Sequence, residues 1–82
     1  MRRARVDDVH PEIVQTFRRL GWRVVSLAMV GRGCPDLLVS RNGHVYLVEV
    51  KSAHGTLTAD QVRFHAEWPV RIVRSVEDVL AL

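Results

Sequence analysis

Apolar and polar positions follow two periods along this chain, and the switches between them mark its elements. Val9, Ile13, Phe17 and Leu20 fall three or four residues apart, the stripe of an amphipathic helix running from about Val9 to Leu20. Asp7 or Asp8 can cap that helix, Pro11 fits its first turn, and Gly21 supplies a left-handed stop. Trp22 to Met29 reads as a strand. After Gly31-Arg32-Gly33, a flexible turn, Pro35 to Ser40 reads as a second strand and His44 to Lys51 as a third, joined by Asn42-Gly43, a strong hairpin signal. Ser52 to Thr56 is a loop, and Thr58-Ala59-Asp60-Gln61 opens a helix that reaches Trp68 and stops at Pro69. Val70 to Val73 is a last strand, and Ser75-Val76-Glu77-Asp78 matches a capping box opening a short helix. The order α-β-β-β-α-β-α predicts a small α/β fold, a mixed sheet flanked by helices. With no repeat, linker or low-complexity tract, residues 1–82 read as one domain with a basic arm at 1–8.

The hairpin carries a register that can be calculated. With a two-residue turn, Arg41 faces His44, Leu38 faces Leu47, and Asp36 faces Glu49. A side-chain period of two then places Asp36, Leu38, Ser40, Val45, Leu47, Glu49 and Lys51 on one face. Two carboxylates are thus predicted directly opposite each other, with Cβ atoms about 4.5–5.5 Å apart, and opposed like charges destabilise a sheet. Such a pair calls for a cation between the carboxylates or a shared proton. Hard divalent ions such as Mg²⁺ prefer carboxylate and carbonyl oxygens, so Asp36, Glu49 and the carbonyl of Val50 form a candidate metal site. Lys51, one step further along the face, can orient an attacking water and stabilise developing charge. The bland alternative makes Asp36 a strand start and Glu49–Lys51 a surface pair. The apolar flanks Leu37-Leu38-Val39 and Val45 to Val50 speak against it.

Composition narrows the classes. The chain is 48% hydrophobic and 26% charged, an ordinary globular balance. No apolar run approaches the roughly 18 residues of a membrane span, and no apolar segment follows the basic N-terminus to make a secretory signal. The single cysteine, Cys34, excludes an intramolecular disulfide and a cysteine-built zinc site. The expected location is cytoplasmic, in a bacterial or phage-infected cell. A core this small offsets the cost of ordering the chain only narrowly, so a homodimer is the expected extra source of stability. The net charge of +3 sits entirely within residues 1–23. There Arg2, Arg3, Arg5, Arg18 and Arg19 suggest contacts to a polyanion such as nucleic acid, or else a solubilising tail. Of the 12 basic residues eleven are arginine. The one lysine, Lys51, is a compact charge with a tunable pKa, which arginine cannot supply.

Gly33-Cys34-Pro35-Asp36-Leu37-Leu38-Val39, followed by Val48-Glu49-Val50-Lys51 and Leu57-Thr58-Ala59-Asp60-Gln61, resembles the PD-(D/E)XK nuclease superfamily, and within it the VRR-NUC family. The resemblance covers nearly the whole chain and implies a small restriction-endonuclease-like domain. It implies a metal-dependent endonuclease that hydrolyses DNA phosphodiesters with Mg²⁺ or Mn²⁺. Asp36 and Glu49 would be its metal ligands and Lys51 its catalytic lysine. It also implies a homodimer acting on double-stranded or branched DNA such as Holliday junctions. Family members often carry a site glutamate on the first helix, and Glu12 is the matching residue; a first-turn glutamate is also favoured by the helix dipole. Gln61 matches a family glutamine that touches the lysine or the scissile phosphate, and it equally fits a capping box with Thr58.

The other candidates are softer. Arg32 lies between two glycines ahead of Asp36 and His54 in the loop after Lys51; each is placed for a DNA phosphate or for plain solvent. His65, four residues after Gln61, reads as a boundary histidine or a further site group. Phe64, Trp68 and Trp22 read as core or dimer surface. The rival readings are a DNA-binding module without turnover and an accessory subunit of a replication or repair helicase.

Overall fold

The computed structural model describes residues 10–82. The arm 1–8 with Arg2, Arg3 and Arg5, the cap positions Asp7 and Asp8, and Val9 lie outside the described residues. The elements are α1 (His10–Arg19), β1 (Arg23–Ser26), β2 (Leu37–Arg41), β3 (His44–Val50), α2 (Ala59–Glu67), β4 (Val70–Val73) and α3 (Val76–Leu80). The strands form one sheet in the order β1-β2-β3-β4. β1–β2 and β2–β3 are antiparallel and β3–β4 is parallel, so the sheet is mixed and the order of elements is the expected one.

Gly21, at φ 90°, ends α1 in a Schellman motif. Its amide donates to the carbonyl of Arg18, and that of Trp22 to Phe17, both at 3.0 Å. The motif's apolar contact is present too, since the Phe17 and Trp22 rings meet edge to face at 5.8 Å. β1 is shorter than the run Trp22–Met29 suggested. Its partner runs out, because β2 starts opposite Ser26. One more bond follows, from the Leu27 amide to the carbonyl of Asp36 at 2.7 Å, and the Val30 amide then closes a turn onto Leu27. Apolar content does not extend a strand without a neighbour to pair with.

The β2–β3 hairpin has the calculated register, with Arg41 opposite His44 and Leu38 opposite Leu47. Asn42 and Gly43 both take positive φ (52° and 84°), as a two-residue turn of this hand requires. One face of the sheet carries Leu37, Val39, Val48, Val50 and Val73 against Ile13, Phe17, Trp22 and Val79, and this layer is the core. The opposite face carries Val25, Leu38, Val45, Leu47, Glu49 and Ile72. Leu20, expected in the α1 stripe, is exposed at the helix end.

The caps hold with one change. Thr58 and Gln61 form a reciprocal capping box at α2. At α3 the Ser75 hydroxyl accepts from the amide of Asp78, but the Asp78 carboxylate turns to the amide of Arg74 at 2.7 Å instead of closing the box. Among the described residues no helix is long and apolar enough to cross a membrane.

Candidate active site

The ladder between β2 and β3 stops at Leu37 opposite Val48. Beyond it the amide of Val50 donates to the side chain of Asp36, at 2.8 Å to Oδ2. Asp36 therefore ends the hairpin by turning its own carboxylate onto the last amide of β3. Glu49 follows Val48 on the other face of the strand and is only 2% exposed. A carboxylate so buried needs partners. Gln61 Nε2 donates to Glu49 Oε2 at 3.0 Å, and Lys51 Nζ lies 3.6 Å from the same oxygen. Glu49 Oε1 has no hydrogen-bond partner although it is buried.

Burial, followed by repulsion from Asp36, lifts the Glu49 carboxyl from its ordinary 4.5 to about 7, and Lys51 opposes the rise. The ladder ends before Asp36, so the two carboxyls are not the cross-strand pair that the register drew, but Asp36 is close enough to raise the Glu49 pKa. The same acidic pair acts on a neighbour: burial and then Glu49 and Asp36 push the Cys34 thiol up. His65 moves the other way, since burial and the charge of Lys51 lower its pKa. Its Nε2 is buried without a partner.

Gln61 serves both purposes considered for it. Its Oε1 accepts from the amide of Thr58 at 2.9 Å, closing the cap, while its Nε2 holds Glu49. The loop before Asp36 fixes where α2 begins. Gly31, Arg32 and Gly33 all have positive φ (77°, 59° and 79°), so this turn is a defined left-handed one rather than a loose connection. At Gly33 an added Cβ would lie 2.3 Å from the carbonyl oxygen of Asp60. Only glycine lets this loop press against the first turn of α2 and carry Gln61 to Glu49.

The loop after Lys51 is held from β4. The Lys51 amide donates to Val73 at 3.0 Å. Arg74 Nη1 donates to the carbonyls of Ser52 at 2.7 Å, Gly55 at 2.8 Å and Ala53 at 3.4 Å. Sequence reasoning missed this residue, although its place directly after the last strand was a signal. Asp36, Glu49, Val50, Lys51 and Gln61 are therefore brought together, with His65 at their border. Glu12 is exposed on α1, which packs on the other face of the sheet, and its carbonyl accepts from Thr16 Oγ1. Among the described residues no group of three His, Cys, Asp or Glu side chains converges for a metal. Arg18, Arg19, Arg32 and His54 are exposed; Arg19 reaches Gln15 Oε1 at 3.2 Å.

The donor set suits a hard divalent ion. Two adjacent carboxyls, one with an unpartnered buried oxygen, form a site whose repulsion a cation would relieve. Asp36 and Glu49 would hold such an ion, with the carbonyl of Val50, the next residue along β3, as a third oxygen.

A family model for the archaeal Holliday junction resolvase (hjc) matches residues 1–72 of this chain. A solved structure described as a VRR_NUC domain is similar to it at 33% sequence identity and a TM-score of 0.71, covering 90% of this chain and 88% of that one. No curated protein matches it.

Proposed function

This chain belongs to the archaeal Holliday junction resolvase family, and from that membership we propose that it is a divalent-metal-dependent endonuclease that hydrolyses DNA phosphodiesters in branched DNA such as four-way junctions. One observation carries the reading: buried Glu49, with Oε1 unpartnered, stands beside Asp36 and within reach of the chain's single lysine. A structural hairpin has no use for that arrangement, whereas phosphodiester hydrolysis does.

Bound Mg²⁺ or Mn²⁺ would neutralise charge on the phosphate and lower the pKa of a coordinated water. The side chains do the rest. Asp36 is fixed by the Val50 amide, and Glu49 by Gln61, so neither carboxylate has to reorganise when a phosphate arrives. Lys51 orients the attacking water and offsets the negative charge that grows on the phosphoryl oxygens. Arg18, Arg19, Arg32 and His54, with Arg2, Arg3 and Arg5 of the arm, supply phosphate contacts that position the duplex without reading its sequence.

The free sheet face supports a homodimer. Val25 and Val45 are 54% and 61% exposed there, beside half-buried Leu38 and Leu47. A second copy that covers this face would bring two sites under a two-fold axis, suited to one cut in each of two strands of a junction. The test is incubation of the purified chain with linear, flapped and four-way DNA, with and without Mg²⁺ or Mn²⁺. Cleavage of the four-way substrate that needs the ion and is lost in Asp36→Asn is expected. Binding without cleavage under every condition would make the chain a DNA-binding module instead.

A further inference from the structure

We propose that Arg74 is a positioning residue for Lys51: its guanidinium gathers the 52–55 loop against the lysine stem and so aims the ammonium at Glu49. The inference rests on the reading of Lys51 as the residue that meets the scissile phosphate. Three observations carry it. Arg74 Nη1 donates to the carbonyls of Ser52, Gly55 and Ala53, and a loop whose own carbonyls converge on one cation cannot open without abandoning all of them. The loop also closes on itself, with the Gly55 amide donating to Ser52 at 3.1 Å.

Gly55 lies against the lysine. A Cβ built on it would come within 3.5 Å of Lys51 Cδ and 3.1 Å of Ser52 Oγ. The backbone at Gly55 thus forms one wall of the slot through which the Lys51 side chain runs, and that side chain is only 15% exposed. Arg74 is itself anchored, because its amide is taken by Asp78 at the start of α3. The path runs from α3 through Arg74 to the loop, and from the loop to the lysine stem. Lysine has a flexible four-carbon stem, so without a walled slot its ammonium samples positions that serve neither Glu49 nor a phosphate. A misplacement of about 1 Å at a reacting centre can cost on the order of a hundredfold in rate.

Two variants test this, each on the full chain. Arg74→Met keeps the apolar stem and removes the donors. Gly55→Ala leaves Arg74 intact, sets a methyl in contact with the lysine stem and presses on Ser52 Oγ at 3.1 Å, so it shifts the loop side of the slot through Ser52 and keeps the inference open to refutation even if Arg74→Met fails to fold. Cleavage of a four-way DNA in Mg²⁺ gives kcat and KM. Because Lys51 is the one lysine of the chain, its rate of acylation by an N-hydroxysuccinimide ester, followed by peptide mass mapping, reports the slot without any turnover. Arg74→Met is expected to lower kcat about tenfold or more with KM unchanged, and to raise Lys51 acylation several-fold. Gly55→Ala is expected to lower kcat in the same way and to change the acylation rate. Unchanged acylation in both variants, or unchanged kcat, overturns the role of Arg74. A wild-type chain that cleaves nothing overturns the nuclease reading instead, and the acylation rates tell the two failures apart.

Discussion

Removing the charge of Glu49 should abolish a loss of stability that this carboxyl imposes as pH rises. In the fold the Glu49 carboxyl keeps its proton up to about 7, against 4.5 ordinarily, through burial and then Asp36. An acid that binds its proton more tightly in the folded state stabilises the fold when protonated. That contribution is complete below the unfolded value near 4.5 and is lost as pH rises through the folded value near 7. At about 1.4 kcal/mol per pH unit the loss is roughly 3 kcal/mol, or about 12–24 °C in Tm for a domain of this size. Two other groups shift as well. His65, with its pKa lowered by burial and Lys51, contributes stability that is lost as pH falls, the opposite slope. Cys34, raised from 9.0, acts only above this window. Both remain in Glu49→Gln, so the difference between wild type and variant isolates the carboxyl. The assay is thermal unfolding from pH 4.5 to 8 in chelator. Wild-type Tm, taken relative to Glu49→Gln, should fall steadily across that range. At pH 8, Mn²⁺ at a hundred times its Kd should return about 2.7 kcal/mol to wild type and little to the variant. Parallel curves for the two proteins, or a wild-type Tm that climbs relative to the variant, would refute the account of a strained acidic pair.

Other perturbations follow from the same contacts. Asp36→Asn removes the repulsion on Glu49 while its side-chain oxygen can still accept from Val50; apo stability should rise by about 1 kcal/mol and Mn²⁺ affinity should collapse, both read by calorimetry. Lys51→Arg puts a planar fork where a compact ammonium sits; turnover on four-way DNA should fall about a hundredfold while binding measured in Ca²⁺ stays within about twofold. Gly33→Ala forces a Cβ to within 2.3 Å of Asp60 at φ 79°. It should cost roughly 3 kcal/mol in urea unfolding, the αL penalty of about 1–2 kcal/mol plus the clash.

Much of the fold was legible because local chemistry and global pairing agree. Asn42-Gly43 dictates a two-residue turn, and from that turn every cross-strand partner in β2 and β3 follows. Pro69, Gly21 and Thr58 punctuate the helices where their backbone requirements place them. Where the reading overran, the missing term was tertiary. Trp22–Met29 is apolar enough for a longer strand, but pairing depends on β2, which ends the ladder at Leu37. The α3 capping box is half made because Asp78 finds Arg74 closer to hand, a choice between two amides that composition cannot rank.

The site divides along the same line. Strand parity predicts Asp36, Glu49 and Lys51 on one face, and although Asp36 and Lys51 lie just past the ends of β2 and β3, both act on Glu49, so arithmetic reaches them. Gln61 and Arg74 act across elements, through a close approach at Gly33 and a loop folded back on β4, and no spacing rule encodes a contact of that kind. Charge burial explains why these supports exist. A half-neutral carboxyl at 2% exposure costs several kcal/mol unless it is held, and each support acts on that cost. Gln61 donates to one oxygen of Glu49, Lys51 opposes its charge, and Arg74 braces the loop beside Lys51. Of the Glu49 carboxyl, what is left unsupported is the buried oxygen Oε1. A fold selected for stability alone would fill that position with an apolar side chain at no loss, since replacing buried charge by hydrophobic bulk is often neutral or favourable. Retaining the oxygen there, braced on every other side, is what the proposed metal site requires.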